Sequence, residues 1–136
     1  MREILFRAKS NFGNVGEWEY GLVAQPHVTE DGIVTSYYFT KLYEDGRLSQ
    51  KTVSANTIGQ YTGLNDKNGK KIFEGDILEK YGFQYIVCFE KGAFIAYEFP
   101  YNEGAILSRF EWGNAVKTGN IYDNPELLKG GVPEWQ

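Results

Sequence analysis

Glu74 and Asp76 are the strongest candidates for acid–base chemistry in this sequence of 136 residues. They lie two positions apart, so in an extended strand both side chains would point to one face. Paired carboxylates can act as acid and base when burial separates their pKa values. The alternative is structural: Asp76 accepts hydrogen bonds from backbone amides where the strand begins. Because the single histidine, His27, is distant in sequence, we favour the structural role and keep the acid–base enzyme as an alternative.

The sequence does not predict a metal or cofactor site. Its single histidine and single cysteine, His27 and Cys88, cannot supply the usual ligand sets of zinc. Residues 66–69 resemble part of a calcium loop, but the first and twelfth ligand positions would fall on Leu64 and Gly75. We therefore expect a plain hairpin turn there, with no metal and no cofactor.

A second candidate site is a small basic and aromatic surface near that turn. Lys67, Lys70 and Lys71 surround the turn, and Tyr61 and Phe73 lie nearby in sequence. Cations and stacking rings together are typical of single-stranded nucleic-acid binding. The alternative is a solvated hairpin tip whose lysines oppose aggregation, which is the interpretation that we favour.

The overall charge weighs against a general nucleic-acid binder. Fourteen Lys and Arg residues face eighteen Asp and Glu residues, which gives a net charge of −4, whereas DNA attracts basic surfaces through counterion release. One cysteine allows no intramolecular disulfide, and the only apolar run near residue 1 is Ile4–Phe6. Such a run is too short for a signal peptide or a membrane span, so we expect a soluble, cytoplasmic protein that has no membrane partner.

Short strands and tight turns account for almost the whole chain. Aromatic residues make up 16% of it and there are 16 glycines, a composition typical of twisted strands joined by turns. Residues 85–89 predict a central strand buried on both faces, whereas Pro26 and the Asp31-Gly32 pair predict a break over residues 25–32. One helical turn is expected after Asn124. The fold class is all-β, as a small barrel or packed sheets, and a change in sequence character after residue 54 indicates a domain boundary there.

The strand Ile33–Tyr43 is the candidate for self-association. It is apolar on both faces, and Tyr37, Tyr38 and Phe39 are consecutive. In a single small sheet one of these faces would be wet. Either the N-terminal strands form a second layer over the barrel, or the strand meets another copy of the chain, and we expect a homo-oligomer. Trp135 is a further interface candidate.

Four sequence blocks resemble the YopX family of bacteriophage and prophage proteins. They are MREILFRAK (1–9), IGQYTGLNDKNGKKIFEGDIL (58–78, the central block), FEKGAF (89–94) and GNIYDNPELL (119–128). The resemblance covers essentially the whole chain and implies an all-β, multi-sheet architecture. In that architecture residues 1–54 pack on a C-terminal part, residues 55–136, that resembles a Src-homology-3 barrel. The resemblance implies no catalytic residue and no cofactor. It implies that the turn residues of the central block are structural, namely Thr62, Gly63, Asn68, Gly69, Glu74, Gly75 and Asp76.

From these observations we expect a non-catalytic binding or assembly module that acts on an unknown phage or host protein. Single-stranded nucleic-acid binding through Lys67–Lys71 and acid–base catalysis by Glu74 and Asp76 are the alternatives.

Overall fold

The computed structural model describes residues 3–99, 103–106 and 114–128, and these residues form an all-β protein. The helical elements in these ranges are 3-10 turns, such as Ala55–Thr57 and Pro125–Leu127. The predicted fold class is confirmed. Among the described residues, no helix has the length and apolar character needed to span a bilayer. In chain order the strands are β1 Phe6–Lys9, β2 Trp18–Val28, β3 Val34–Leu42, β4 Leu48–Ser54, β5 Gly59–Asn65, β6 Lys71–Phe73, β7 Asp76–Lys80, β8 Phe83–Glu90, β9 Ala93–Phe99, β10 Glu103–Ile106 and β11 Val116–Asn120.

The chain divides into two compact units, Met1–Tyr61 and Thr62–Gln136, and its strands form two antiparallel sheets. In the first unit the strand order is β4-β3-β2-β1-β5, and in the second the five-stranded sheet has the order β10-β9-β8-β7-β11. The unit boundary falls within β5, whereas the sequence placed a boundary after residue 54. The description of the C-terminal part as a Src-homology-3-like barrel stays a prediction.

One face of the first unit's sheet forms its core. Strand alternation sends successive side chains to opposite faces, and cross-strand partners share a face. The buried side chains belong to Ala8, Phe39 and Val53, with Phe6, Val23, Tyr37 and Ile58 packed against them. The opposite face, which we call the outer face, carries Trp18, Tyr20 and Leu22 of β2.

The predicted break at Pro26 is wrong, because β2 continues to Val28. Proline lacks a backbone N–H and is tolerated where a strand is bulged or unpaired on one side. Both conditions hold here: β2 pairs with β1 only over residues 18–21, and its register with β3 shifts on either side of Pro26. The turn itself lies at residues 29–32, where Gly32 has a φ of 82°.

The second unit has apolar clusters on both faces of its sheet. Strand β8 is central, as predicted, and its residues Ile86 and Val87 point to opposite faces. Burial on both faces holds only at the middle of β8, because Phe83 and Phe89 near its ends are exposed. One cluster comprises Ile72, Leu78, Val87, Ala96 and Ala115, and the other comprises Ile77, Ile86, Ile121 and Leu128.

The predicted helical turn after Asn124 is a 3-10 turn at Pro125–Leu127. Asn124 does not cap it. Instead, Oδ1 of Asn124 accepts a hydrogen bond from the Asn120 amide at 3.2 Å. A Cβ atom at Gly119 would lie 2.5 Å from the same Oδ1 atom, so this close approach requires glycine.

Part of the predicted C-terminal pattern lies outside the described residues. Strand β10 begins at Glu103 and pairs with β9. Trp135, the further interface candidate, is not among the described residues, and neither are residues 107–113.

Candidate functional site

Asp66 is the hydrogen-bonding centre of the turn in the central block. Its Oδ1 atom accepts the amides of Asn68 and Lys70, each at 2.9 Å, and its Oδ2 atom accepts the Lys117 amide at 2.9 Å. Burial disfavours the charged form of Asp66, but these three donors outweigh it and the pKa is lowered. The carboxylate therefore holds the turn against β11. In the sequence Asp66 stood only within an incomplete calcium loop that we interpreted as a plain hairpin turn, and its role as the hydrogen-bonding centre was missed.

Asp76 also has structural contacts, in line with the structural role that we favoured for it from the sequence. Its side chain is 0% exposed, and its Oδ2 atom accepts the Phe73 amide at 2.7 Å. Nζ of Lys117 lies 3.2 Å from the same oxygen and 3.3 Å from the Lys71 carbonyl oxygen, to which it donates. One carboxylate oxygen thus serves a turn amide and a lysine together.

Glu74 does not share an extended strand with Asp76. Glu74 and Gly75 form the turn between β6 and β7, and Gly75 is buried with a φ of 88°. Gly75 donates its N–H to the Val87 carbonyl oxygen and accepts the Ile121 amide, both through the backbone. The two carboxylates therefore do not share one face of an extended strand, which was the arrangement that their spacing predicted.

The other turn residues of the central block also have structural contacts. The hydroxyl of Thr62 donates to the Ile72 carbonyl oxygen at 2.9 Å and accepts the Leu64 amide at 3.1 Å. Gly63 and Gly69 have φ values of 87° and 79°, in the region that favours glycine.

The lysines of the central turn are exposed, but the aromatic residues predicted to accompany them are buried. Lys67, Lys70 and Lys71 are open to solvent, while Tyr61 is 6% exposed in the first unit and Phe73 is 2% exposed in the second. Nζ of Lys117 lies 5.7 Å from the Phe73 ring centroid. Neither ring presents a face on which a base could stack.

Tyr97 pairs with Glu90 in the second unit. Its hydroxyl donates to a carboxylate oxygen of Glu90, and this hydrogen bond, with burial and the charge of Glu90, raises the pKa of Tyr97 to about 12. The phenol therefore stays protonated near neutral pH and cannot act as a base there. Across residues 3–99, 103–106 and 114–128, no group of three or more His, Cys, Asp or Glu side chains is placed to hold a metal ion.

The interface candidates of β3 separate into different environments. Phe39 is 2% exposed and lies in the first unit's core, so its prediction as an interface residue is wrong. Tyr37 packs against that core. Tyr38 lies on the other face, where its ring stacks on His27 at 5.5 Å and its hydroxyl is 3.2 Å from Nδ1 of His27.

The outer face of the first unit carries exposed apolar side chains that the sequence did not single out. Leu42 and Leu48 are paired across β3 and β4 and are 68% and 69% exposed, and Tyr20 and Leu22 of β2 are also exposed. Trp18 of the same face has the Arg7 guanidinium 4.5 Å and Lys9 Nζ 4.8 Å from its ring centroid. The alternation of Trp18, Tyr20 and Leu22 in the sequence was the pattern from which this apolar face could have been predicted.

This combination of two antiparallel sheets and a turn-rich central block has known relatives. The YopX family, described as "YopX protein", matches residues 5–129, and the chain belongs to this family. A solved structure of similar fold is that of protein EF1440 from Enterococcus faecalis, with 24% sequence identity and a TM-score of 0.52, over 95% of this chain and 100% of that chain. No match was found among curated proteins.

Proposed function

We propose that this YopX-family chain is a non-catalytic binding or assembly module of bacteriophage or prophage origin, working in the host cytoplasm. The observation that carries the proposal is the outer face of the first unit. Exposed apolar side chains that share one sheet face are typical of interaction surfaces. Here Tyr20, Leu22, Leu42 and Leu48 share that face and are exposed.

The chemistry of the central block supports the non-catalytic part of the proposal. Asp66 and Asp76 are its buried carboxylates, and both accept backbone amides. Lys117 contacts both of them, through its amide and its ammonium. These contacts stabilise the fold of the second unit.

The assembly part of the proposal is a homo-oligomer formed through the outer face. Strand β3 still contributes, but through Leu42 and Tyr38, since Phe39 is buried in the core. An apolar face is buried most readily against the same face of a second copy, with closed symmetry. Tyrosine suits such a surface because its hydroxyl can remain hydrated.

Light scattering of the purified chain at micromolar concentration tests the assembly. A mass well above 15.5 kDa is expected, and the double variant Leu22→Ser/Leu42→Ser should return the mass to that of one chain. Val15→Ser is the matched control, because Val15 is 71% exposed in the loop between β1 and β2, outside the strands that carry the outer face, and its replacement should leave the mass unchanged. A wild-type chain that scatters as a monomer would contradict the assembly.

Capture from phage-infected cells tests the binding part. The wild-type chain should retain a specific phage or host protein that the Leu22→Ser/Leu42→Ser variant loses. Turnover of any member of a metabolite panel, removed by Asp76→Asn in a variant that remains folded, would contradict the non-catalytic proposal.

A further inference from the structure

The edge of β4 is open over half of its length. Strand β4 ends the strand order of its sheet and pairs along its length only with β3. Near its C-terminal end, Ser10 forms a bridge to Val53 and the Asn11 amide donates to the Thr52 carbonyl oxygen. Over Leu48–Gln50 no further strand covers it among the described residues. Open edges of this kind accept extended chains.

The hydrogen-bond pattern shows which backbone groups face outward. In an antiparallel strand, residues alternate between those bonded to the neighbour and those pointing away from it. Since the Thr52 carbonyl bonds to Asn11 on the outer side, Gln50 and Leu48 also direct their N–H and C=O groups away from β3. The Tyr43 amide donates to the Arg47 carbonyl oxygen, which fits the same alternation. Leu48 and Gln50 therefore offer two donors and two acceptors.

A groove lies beside this open edge. It has a volume of about 500 Å³, and Phe12, Tyr38, Gln50 and Thr52 contribute to its walls. Tyr38 and Thr52 are cross-strand partners, so the groove opens on the outer face of the sheet. Phe12 is 82% exposed in the loop before β2. An apolar side chain of an added strand, placed opposite Gln50, would contact Phe12 and Tyr38.

The opposite face of the same edge carries cations. The Lys41 ammonium and the Arg47 guanidinium lie 5.3 and 5.0 Å from the Tyr43 ring centroid. A hydrogen bond from Ser49 lowers the pKa of Tyr43, and despite opposing burial the charges of Lys41, Lys51 and Arg47 lower it further. Arg47 also pairs with Asp45 at 2.6 Å and Lys51 with Glu19 at 3.5 Å, yet the side chains of both cations remain well exposed.

These charges indicate whether a second copy of this chain or a different protein binds the open edge of β4. If β4 paired with β4 of a second copy through the outward groups of Leu48 and Gln50, Ser49 would lie on the two-fold axis. Arg47 would then face Lys51 of the second copy, and like charges directly opposite each other are destabilising. A strand with acidic residues at these two positions would be complementary.

We propose that the β4 edge binds an extended acidic segment of another protein by antiparallel strand addition. In this segment two acidic residues four positions apart face Lys51 and Arg47, and the apolar residues between them lie opposite Gln50 and Leu48. Backbone hydrogen bonds provide the attachment, while the groove and the two cations select the sequence. The acidic segment is the partner for the binding function proposed above, so its assignment rests on that proposed function.

A short acetylated peptide with the core Glu-Phe-Ser-Leu-Glu is the direct probe. Titrated into the labelled full chain, it should shift the amide resonances of Leu48–Thr52. The variant Gln50→Pro should weaken binding about tenfold or more, because it removes an outward N–H and adds a ring at the edge. The bonds between β3 and β4 do not use that N–H, and proline is tolerated on strand edges. Gln50→Ala is the matched comparison: it keeps the outward N–H and changes only the side chain in the groove, so it should weaken binding much less than Gln50→Pro does.

A charge exchange keeps the test decisive if Gln50→Pro fails to fold. The double variant Arg47→Glu/Lys51→Glu should lose the acidic peptide and gain a peptide with the core Lys-Phe-Ser-Leu-Lys. Absence of shifts with the acidic peptide at about 1 mM, where even weak complexes are populated, would overturn the proposal. So would binding that ignores both Gln50→Pro and the charge exchange, or a dimer that Gln50→Pro dissociates, since a second copy would then occupy the edge. If the peptide fails while Leu22→Ser/Leu42→Ser still lowers the mass, the acidic partner is wrong and the assembly stands.

Discussion

Nζ of Lys117 lies 3.2 Å from Oδ2 of Asp76, a carboxylate whose side chain has no exposed surface. The backbone amide of the same lysine donates to Asp66. One residue of β11 thus contacts both buried carboxylates of the central block. Removing one partner of a buried ion pair leaves an uncompensated charge, whereas an exposed pair contributes little.

Asp76→Ala should lower the free energy of unfolding by about 3 kcal/mol, because it removes the acceptor of the Phe73 amide and the carboxylate that faces Lys117. Asp76→Asn keeps an oxygen for that amide, so we expect about half of this loss. Urea denaturation of the full chain measures both values. Glu74→Gln, in the adjacent turn, is the control and should change stability by less than about 1 kcal/mol. Equal stability of Asp76→Ala and the wild type would show that the pair contributes nothing.

Acidification should destabilise the central turn through Asp66. The pKa of this carboxyl in the folded chain lies below its ordinary value of 3.8, so its contribution is complete at neutral pH. That contribution is lost as the pH falls below about 4 and through the lowered pKa. The amide resonances of Asn68, Lys70 and Lys117 should move together with a midpoint under 3.8. Asp66→Asn should remove the shared transition, while Asp45→Asn should leave it; a midpoint above the ordinary value would contradict the assignment.

Adjacent substitutions in β3 should have very different costs. Phe39→Ala leaves a cavity among Ala8, Val23 and Val53 and should lower stability by about 3 to 4 kcal/mol. Tyr38→Ala, on the outer face, should cost about 1 kcal/mol or less. Thermal or urea unfolding gives both values. Comparable losses at the two positions would mean that the core does not lie on the Phe39 side of the sheet.

Oligonucleotide binding through the central turn should be weak and dependent on salt. Lys67, Lys70 and Lys71 are exposed, but the buried rings of Tyr61 and Phe73 add no stacking. Fluorescence anisotropy with a single-stranded oligonucleotide should therefore show no binding at about 150 mM salt, and any binding at low salt should have no base preference. Retention at physiological salt that the triple variant Lys67→Gln/Lys70→Gln/Lys71→Gln abolishes would restore the nucleic-acid hypothesis.

Local sequence signals predicted the strands and turns well where the determinants were themselves local. The Asp-Gly and Asn-Gly pairs lie in hairpin turns, and the central position of β8 followed from its continuous apolar run. The break predicted at Pro26 was wrong because a strand accepts proline only where it is unpaired on one side or bulged. The pairing of β2 and its register shifts depend on the tertiary structure, which the local sequence does not show.

The roles of charged and aromatic residues were less predictable. Three consecutive aromatics, Tyr37 to Phe39, look equivalent in sequence, but strand alternation places Phe39 in the core and Tyr38 beside His27. Asp66 acquires its third donor from Lys117, fifty-one positions away, which no local pattern could reveal. The open edge of β4 likewise depends on the strand order of the sheet.

The two carboxylate oxygens of Asp66 form their hydrogen bonds at different stages of folding. Oδ1 bonds to amides two and four residues further along, so it can order the turn as soon as this segment exists. Oδ2 can accept its hydrogen bond only after β11 has packed beside the turn. This step closes the long loop between Asp66 and Lys117 and therefore costs more chain entropy. We expect changes in the turn at Asn68 and Lys70 to alter the folding rate, and Lys117→Pro, which removes the amide that Oδ2 accepts, mainly to speed unfolding. A single carboxylate would then report both an early and a late event in the kinetics of this chain.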